Sequence, residues 1–288
     1  MIIDSHVHIG KDIFGIKNGI LNFNGTLQKQ NIKEYVFKMN KLRISKAIIF
    51  PFPSPLCQFG KDDFWYHKEN NKLFNDAQRY ENRLYFIPAF NPLDKKSIDY
   101  ALELINKYNL RGLKLHTRTV QYEPKKLDQK ILKTLENNDI PLVLHIGSDK
   151  EAELIEKNIS ISLEPALKLA KENKNVRFVF AHLGRLHKKL EEALNLDNVM
   201  LDTSGLSIKE VWKDYHAKLF DEKLINKSPV EIISTLVEDG FEDKIIWGSD
   251  EPYGLSYKNE LDYINNSNIS RSAKDKILRK NSINWYKL

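Results

Sequence analysis

The chain has 288 residues, of which 41% are apolar and 29% charged, with a formal net charge of +6 at pH 7. Those proportions describe an ordinary globular protein with room for one large core or two modest ones. The single cysteine, Cys57, excludes an internal disulfide framework, and no apolar run is long enough to cross a bilayer. The start lacks a basic segment followed by an apolar one, so no secretion signal is read and a cytoplasmic location is expected. The basic residues are mixed with acidic ones, as in "KKLDQKILKTLENND" and "RLHKKLEEALN". That pattern fits a solvated surface rather than a nucleic-acid face, and leaves only a weak preference for anionic substrates.

Eight short apolar runs follow one another along the chain: "MIIDSHVHI", "SKAIIFPF", "LYFIPAF", "RGLKLH", "IPLVLHIG", "VRFVFAHLG", "NVMLDTSG" and "KIIWGSD". Near-continuous apolar strands are covered on both faces, as in a parallel sheet. Between them lie helical patterns such as "KKSIDYALELINKYN", "DQKILKTLENN", "EPALKLAKENK" and "SPVEIISTLVEDG". The last carries Ser228 as N-cap, Pro229 in the first turn, Glu231 closing a capping box and Gly240 as a stop. A final helix is expected over "AKDKILRKNSINWY". Strict alternation through eight units predicts an α/β fold, a (β/α)8 TIM barrel, as one domain over residues 1–288. A doubly wound sheet would carry a glycine-rich turn after the first strand, and "HIGKDIFG" lacks one. Two connections are long, "GKDIFGIKNGILNFNGTLQKQN" after the first strand and "GLSIKEVWKDYHAKLFDEKLINK" after the seventh. Both leave C-terminal strand ends, where barrel active sites form.

His6, His8, His116, His145 and His182 fall at or near the C-terminal ends of the first, fourth, fifth and sixth strands, and Asp250 ends the eighth. Side chains alternate along a strand, so His6 and His8 share one face while Val7 and Ile9 share the other. Closing the barrel sets the eighth strand beside the first and brings Asp250 to the histidine pair. Three imidazoles, His6, His8 and His145, with the Asp250 carboxylate are the donors of a catalytic divalent-metal site. Simple alternation on a half-buried strand is the competing reading of the pair alone.

"DSHVH", "LHIG", "FAHLG" and "WGSD", in that order on those strands, resemble the amidohydrolase superfamily. "RGLKLH" and "NSINWY" are similar in particular to its amidohydrolase-2 branch of metal-dependent barrel proteins. The resemblance covers essentially the whole chain and implies that His6, His8, His145 and Asp250 hold the metal. It implies that His182 acts as acid or carbonyl polariser, or ligates a second ion, and that Asp250 also accepts a proton from bound water. A metal lowers the pKa of bound water while a carboxylate and an imidazole move protons.

Lys114 shares its face with His116. In binuclear members of the superfamily a lysine on this strand is carbamylated and bridges two metals; the alternative is an ammonium contacting substrate or Asp250. His116 is a pocket residue or a polar strand end. Arg118 and Arg185 follow the fourth and sixth strands, where a guanidinium fork can grip a carboxylate or phosphate. "HLGR" departs from the second glycine usual in the family. Asp4 is expected beneath the metal rather than on it. His67, His187 and His216 are expected at the surface. Phe52, Phe59 and Trp65 wall a pocket or pack on the helical shell.

These residues suggest a metal-dependent hydrolase cleaving a C–N or C–O bond of a small anionic substrate. Lys114 and the strand-one sequence "HVHIGK", in place of an HxHxxP-like motif, favour hydrolysis. The branch also contains non-oxidative decarboxylases of small aromatic or unsaturated acids, which is the alternative; a non-catalytic binder ranks third. The expected cofactor is one divalent ion, zinc before manganese, with a second ion left open. The expected partner is a small molecule, with neither nucleic acid nor membrane; a homo-oligomer is compatible with the sequence.

Overall fold

In the computed structural model, residues 1–11, 29–53, 65–116, 127–147, 163–209, 219–253 and 257–288 are described. Nine strands appear among them: β1 (Ile3–Lys11), β2 (Lys29–Gln30), β3 (Lys46–Pro51), β4 (Leu84–Phe86), β5 (Leu113–Leu115), β6 (Leu142–Leu144), β7 (Phe178–Phe180), β8 (Val199–Asp202) and β9 (Ile245–Ile246). All eight expected runs are strands. The parallel series β1-β3-β4 and β5-β6-β7-β8-β9 are joined by two isolated parallel bridges, Ala89 to Lys114 and Val7 to Glu251. The result is the (β/α)8 TIM-barrel fold. Among the described strands only β2 is antiparallel; it returns along the end of β1, pairing Gly10 with Gln30, and was not foreseen.

Alternation along each strand divides the apolar residues between two cores. Ile48, Phe50, Ile87, Val143, Val179, Met200 and Ile246 fill the barrel interior. Their neighbours Ala47, Ile49, Leu142, Leu144, Phe178 and Phe180 face the helical shell, as do Val7 and Ile9. That shell contains α1 (Ile32–Leu42), α2 (Trp65–Ala77), α3 (Lys95–Tyr108), α4 (Gln129–Asn138), α5 (Leu163–Glu172), α6 (Leu190–Leu194), α7 (Glu222–Ile225), α8 (Pro229–Glu238) and α9 (Tyr257–Asn266). The Ser228–Glu231 capping box with Pro229 starts α8 as expected, and Gly240 follows its C-cap at φ +89°. Asn31 and Glu34 form a second such box on α1.

The expected terminal helix is interrupted. α10 (Arg271–Asp275) passes through a π-helical turn, Lys276–Lys280, into α11 (Asn281–Tyr286). A π turn leaves carbonyls out of the regular ladder, and here Ile277 accepts the Trp247 amide at 3.0 Å. Asn281 donates to the carbonyls of Glu242 and Ile245, each at 2.7 Å, and Ser282 meets Ser5 at 2.7 Å. These polar contacts bind the last helix to the first and last strands and insert Tyr286 into the inner core.

Candidate metal centre

β1 delivers His6 and His8, both buried, to the same side. His6 Nδ1 lies 2.8 Å from Asp202 Oδ2 and His8 Nδ1 lies 3.4 Å from the Pro51 carbonyl oxygen. A carboxylate and a carbonyl accept, so both rings are assigned as Nδ1–H tautomers with the lone pair on Nε2. Those Nε2 atoms lie 3.4 Å and 3.8 Å from Asp250 Oδ1. Burial, then the charge of Lys114, holds His6 well below the usual imidazole pKa, so its Asp202 contact is a hydrogen bond to a neutral ring rather than an ion pair. Orientation of a ligand imidazole through its second nitrogen is a recurring feature of metal sites. Among the described residues, His6, His8 and Asp250 form the group that can hold an ion, their donor atoms all lying within 4.8 Å of one another.

The backbone brings Asp250 there by pairing the segment after β9 with β1. The Asp250 amide donates to the His6 carbonyl at 3.0 Å, and the His8 amide donates to the Glu251 carbonyl at 2.8 Å. Lys38 of α1 pairs with the Glu251 carboxylate and donates to Gln30 Oε1 at 2.8 Å, while Gln30 Nε2 donates to the His8 carbonyl at 3.3 Å. Gly248 lets the strands approach: a Cβ there would sit 2.7 Å from His6 Cβ and 3.3 Å from His6 N. Gly248→Ala is therefore expected to cost about 1–3 kcal/mol through overpacking, and to displace His6. Denaturant melts with and without added Mn2+ check both effects.

His145 stands apart from the three-residue group. Its Nδ1 is 2.8 Å from His182 Nε2, and its ring stacks on His116 at 4.2 Å between centroids. His182 Nδ1 is 2.9 Å from the Ser204 carbonyl oxygen, which can only accept. The proton is thus on His182 Nδ1, His182 Nε2 accepts from His145 Nδ1–H, and the His145 lone pair is on Nε2, the tautomer a metal requires. Burial, followed by the charge of Arg185, keeps His182 well below the usual imidazole range.

Asp202 was not singled out in the sequence, yet it binds this cluster together. Besides His6 it accepts the amides of His182 at 3.0 Å and Ser204 at 3.1 Å, and the Ser204 hydroxyl. It ends β8 at the level where the other strands end in histidine, which is the signal that could have found it.

Lys114 faces the barrel interior and is fully buried. Its Nζ is 3.4 Å from His6 Nε2 and 4.5 Å from the centre of the Phe50 ring. Burial pushes it down to about 8, against the opposing pull of Asp202 and Asp250. His116 also faces inward, 5.6 Å from the His8 ring. Phe52 packs beside His8 and Tyr253, and the indole N–H of Trp65 donates to the Phe52 carbonyl at 3.4 Å. Asp4 lies beneath the pair, accepting from Tyr35 at 2.6 Å and from the Ser249 amide at 2.9 Å; burial raises it to about 6.

Arg185 is buried and donates through Nε to the Ile146 carbonyl at 3.0 Å. Residues His182, Leu183, Gly184, Arg185 and Leu186 all have positive φ, between 45° and 62°. This left-handed turn explains why glycine suits position 185: a β-carbon in that region costs roughly 1 kcal/mol. The same turn corrects the expectation for His187, which is buried, not exposed, and accepts the Lys189 amide at 3.1 Å. His67 is exposed. Arg118, Phe59 and His216, with most of the first long connection and residues 210–218 of the second, lie outside the described residues. No helix among the described residues is long and apolar enough to cross a membrane.

Solved structures share this fold along the full chain. A dihydroxybenzoic acid decarboxylase from Polaromonas sp. JS666, with bound manganese and the inhibitor 2-nitroresorcinol, is 16% identical with a TM-score of 0.72, over 100% of this chain and 97% of that one. A 5-carboxyvanillate decarboxylase from Novosphingobium aromaticivorans DSM 12444, also with bound manganese, is 16% identical with a TM-score of 0.70 over 100% and 97%. A probable 2-pyrone-4,6-dicarboxylic acid hydrolase from Acinetobacter baumannii, with citric acid bound, is 16% identical with a TM-score of 0.64 over 100% and 99%. No curated protein matches the chain in sequence. The family model described as Amidohydrolase matches residues 59–288, from just after β3 to the last residue and excluding the His6–His8 pair. With that match over most of its length, the chain belongs to the Amidohydrolase family.

Proposed function

We propose that the chain is a metal-dependent, non-oxidative decarboxylase of a small aromatic or unsaturated carboxylic acid. The observation that carries this reading is the buried donor set His6, His8 and Asp250, with the Nε2 atoms of both imidazoles turned to one carboxylate. His145 is the fourth donor in this reading, and its assigned tautomer suits that role. The likeness to decarboxylases with bound manganese makes manganese the first ion to test, ahead of the zinc expected from the sequence. It also favours decarboxylation over hydrolysis, against the order drawn from Lys114 and "HVHIGK".

A divalent ion bound there supplies positive charge that orients the substrate carboxylate. The bond between the carboxyl group and its carbon breaks, CO2 leaves, and the electron pair left on that carbon takes up a proton. Asp250 is the group that carries the proton. His182 is poorly suited to deliver it, because burial opposes the imidazolium and its Nδ1–H is directed to Ser204. A neutral His182 instead donates to Ser204 and accepts from His145, which keeps the His145 ring in place. Arg185 and His116 are the described residues proposed to meet the substrate.

Hydrolysis is the second reading. It is supported by the likeness to the probable pyrone hydrolase and by a buried lysine beside His6 with its pKa near 8. Such an amine is available for carbamylation and for bridging two ions.

One experiment separates the readings. Mn2+-loaded protein is offered 2,6-dihydroxybenzoate, 5-carboxyvanillate and 2-pyrone-4,6-dicarboxylate, with CO2 release and acid release followed together. CO2 from one of the aromatic acids, with about one ion per chain, is expected. Both are expected to be lost in the His6→Ala/His8→Ala variant, with turnover down by at least about a thousandfold once the charge that orients the substrate is gone. Acid release from the pyrone without CO2, and near two ions per chain, overturns decarboxylation in favour of hydrolysis.

A further inference from the structure

The turn after β8 contributes Ser204 and Gly205 to the centre. Ser204 Oγ lies 3.2 Å from His6 Nδ1 and 3.0 Å from His182 Nδ1. Gly205, at φ +73°, lies so close that a Cβ there would be 3.3 Å from both Asp250 Oδ2 and His182 Nδ1. The turn continues as a single 3-10 helical segment, Leu206–Ile208, too short to hold its own shape through regular hydrogen bonding. Its own hydrogen bonds, from the Leu206 amide to the Thr203 carbonyl at 3.3 Å and from the Ile208 amide to the Gly205 carbonyl at 3.1 Å, are joined by one from another element. Glu260 of α9 accepts the Ser207 amide through Oε1 at 2.8 Å.

Glu260 is only 1% exposed, and its second oxygen, Oε2, is buried with no hydrogen-bond partner. A buried carboxyl with an unsatisfied oxygen is costly and is seldom retained for stability alone. Burial raises its pKa to about 8, Asp250 pushing the same way against the hydrogen bonds from Ser207 and Leu206. Glu260 therefore stays close to Asp250 at neutral pH without adding a second negative charge there.

We propose that Glu260 is a positioning residue of the metal centre, holding the Ser207 amide and so fixing the turn that packs Ser204 and Gly205 against His6, His182 and Asp250. The proposal rests on the reading that His6, His8 and Asp250 hold a divalent ion. Glu260 touches neither ion nor substrate; it acts through the turn.

The test compares the parent with Glu260→Gln, which keeps the acceptor, and Glu260→Met, which keeps the bulk without it. Each protein is stripped with chelator and titrated with Mn2+, free ion being followed by its electron spin resonance signal. Co2+ absorption reports coordination geometry, and thermal melting of the metal-free protein reports folding. Mn2+ affinity is expected to fall by about tenfold to a hundredfold in Glu260→Met, as for other partners that orient ligands, and to stay within about threefold of the parent in Glu260→Gln. The Co2+ band is expected to change in Glu260→Met alone. A lower melting temperature with unchanged Mn2+ affinity and Co2+ band means that Glu260 merely supports the fold, and overturns the proposal. If Glu260→Met does not fold, Glu260→Ala takes its place under the same criteria. A parent that binds neither ion overturns the underlying metal reading and this inference with it, a result distinct from binding that is indifferent to Glu260.

Discussion

Asp202→Asn is expected to fold and yet to lose the ion. Asn keeps one oxygen where Asp202 Oδ1 accepts the amides of His182 and Ser204. It places an NH2 group where Oδ2 accepts from His6 Nδ1. A donor there cannot face the Nδ1–H form of His6, so the ring changes tautomer, puts its proton on Nε2 and loses the lone pair aimed at Asp250. Partners of this kind are worth about ten- to a hundredfold in metal affinity, and a blocked ligand atom puts this variant at the upper end of that range. Asp202→Ala is the control, since it also strips the two amides of their acceptor and leaves buried donors unsatisfied at about 1–3 kcal/mol each. Mn2+ titration with a urea melt distinguishes them: Asn should lose affinity with little change in midpoint, Ala should lose both. Tight Mn2+ binding by a well-folded Asp202→Asn would rule out His6 Nε2 as a ligand.

The second large effect is on the pH dependence of stability. Glu260 has its pKa raised from 4.5 to about 8 in the fold, with burial as the main cause. The native state therefore holds this proton through a window in which the unfolded chain has released it. Stability falls as pH rises between those values, and the whole penalty is present above pH 8. At about 1.36 kcal/mol per unit the window corresponds to roughly 5 kcal/mol. Glu260→Gln, which cannot ionise, is expected to gain that much relative to the parent between pH 5 and pH 9, with the two nearly equal at the acid end. Urea melts of chelator-treated protein at several pH values check it. Parallel curves would mean that Glu260 ionises in the fold as it does in water.

What could be read in advance depended on whether a role is local. His6, His8 and Asp250 were legible because period-two alternation and the parallel order of the strands decide which side chains reach the same end of a barrel. Lys114 and His116 were placed inside by the same parity. Asp202 was passed over although it ends its strand where others end in histidine, because "LDTSG" reads as an ordinary turn and its partner His6 lies 196 residues away. Glu260 sits on an amphipathic helix, where a buried carboxyl has no sequence signature until the turn it holds is in place. The π turn in the last helix and the left-handed run after β7 were missed for another reason. Both depart from the regular periods on which pattern reading rests, and the second is why His187 was misplaced at the surface. The first long connection hid β2, a two-residue strand too short to leave a pattern.

The pairing of β1 with the segment after β9 also has a bearing on the order of events in the cell. The candidate donors His6 and His8 leave the ribosome more than two hundred residues before Asp250. Until then the histidines have no carboxylate across the seam and His8 has no Glu251 carbonyl to receive its amide. Under the proposed metal reading, the three-residue donor set comes together only once Asp250 has been synthesised and the seam has closed. An ion held as proposed would join the first strand to the segment after the last, across a seam that the backbone pairing already closes.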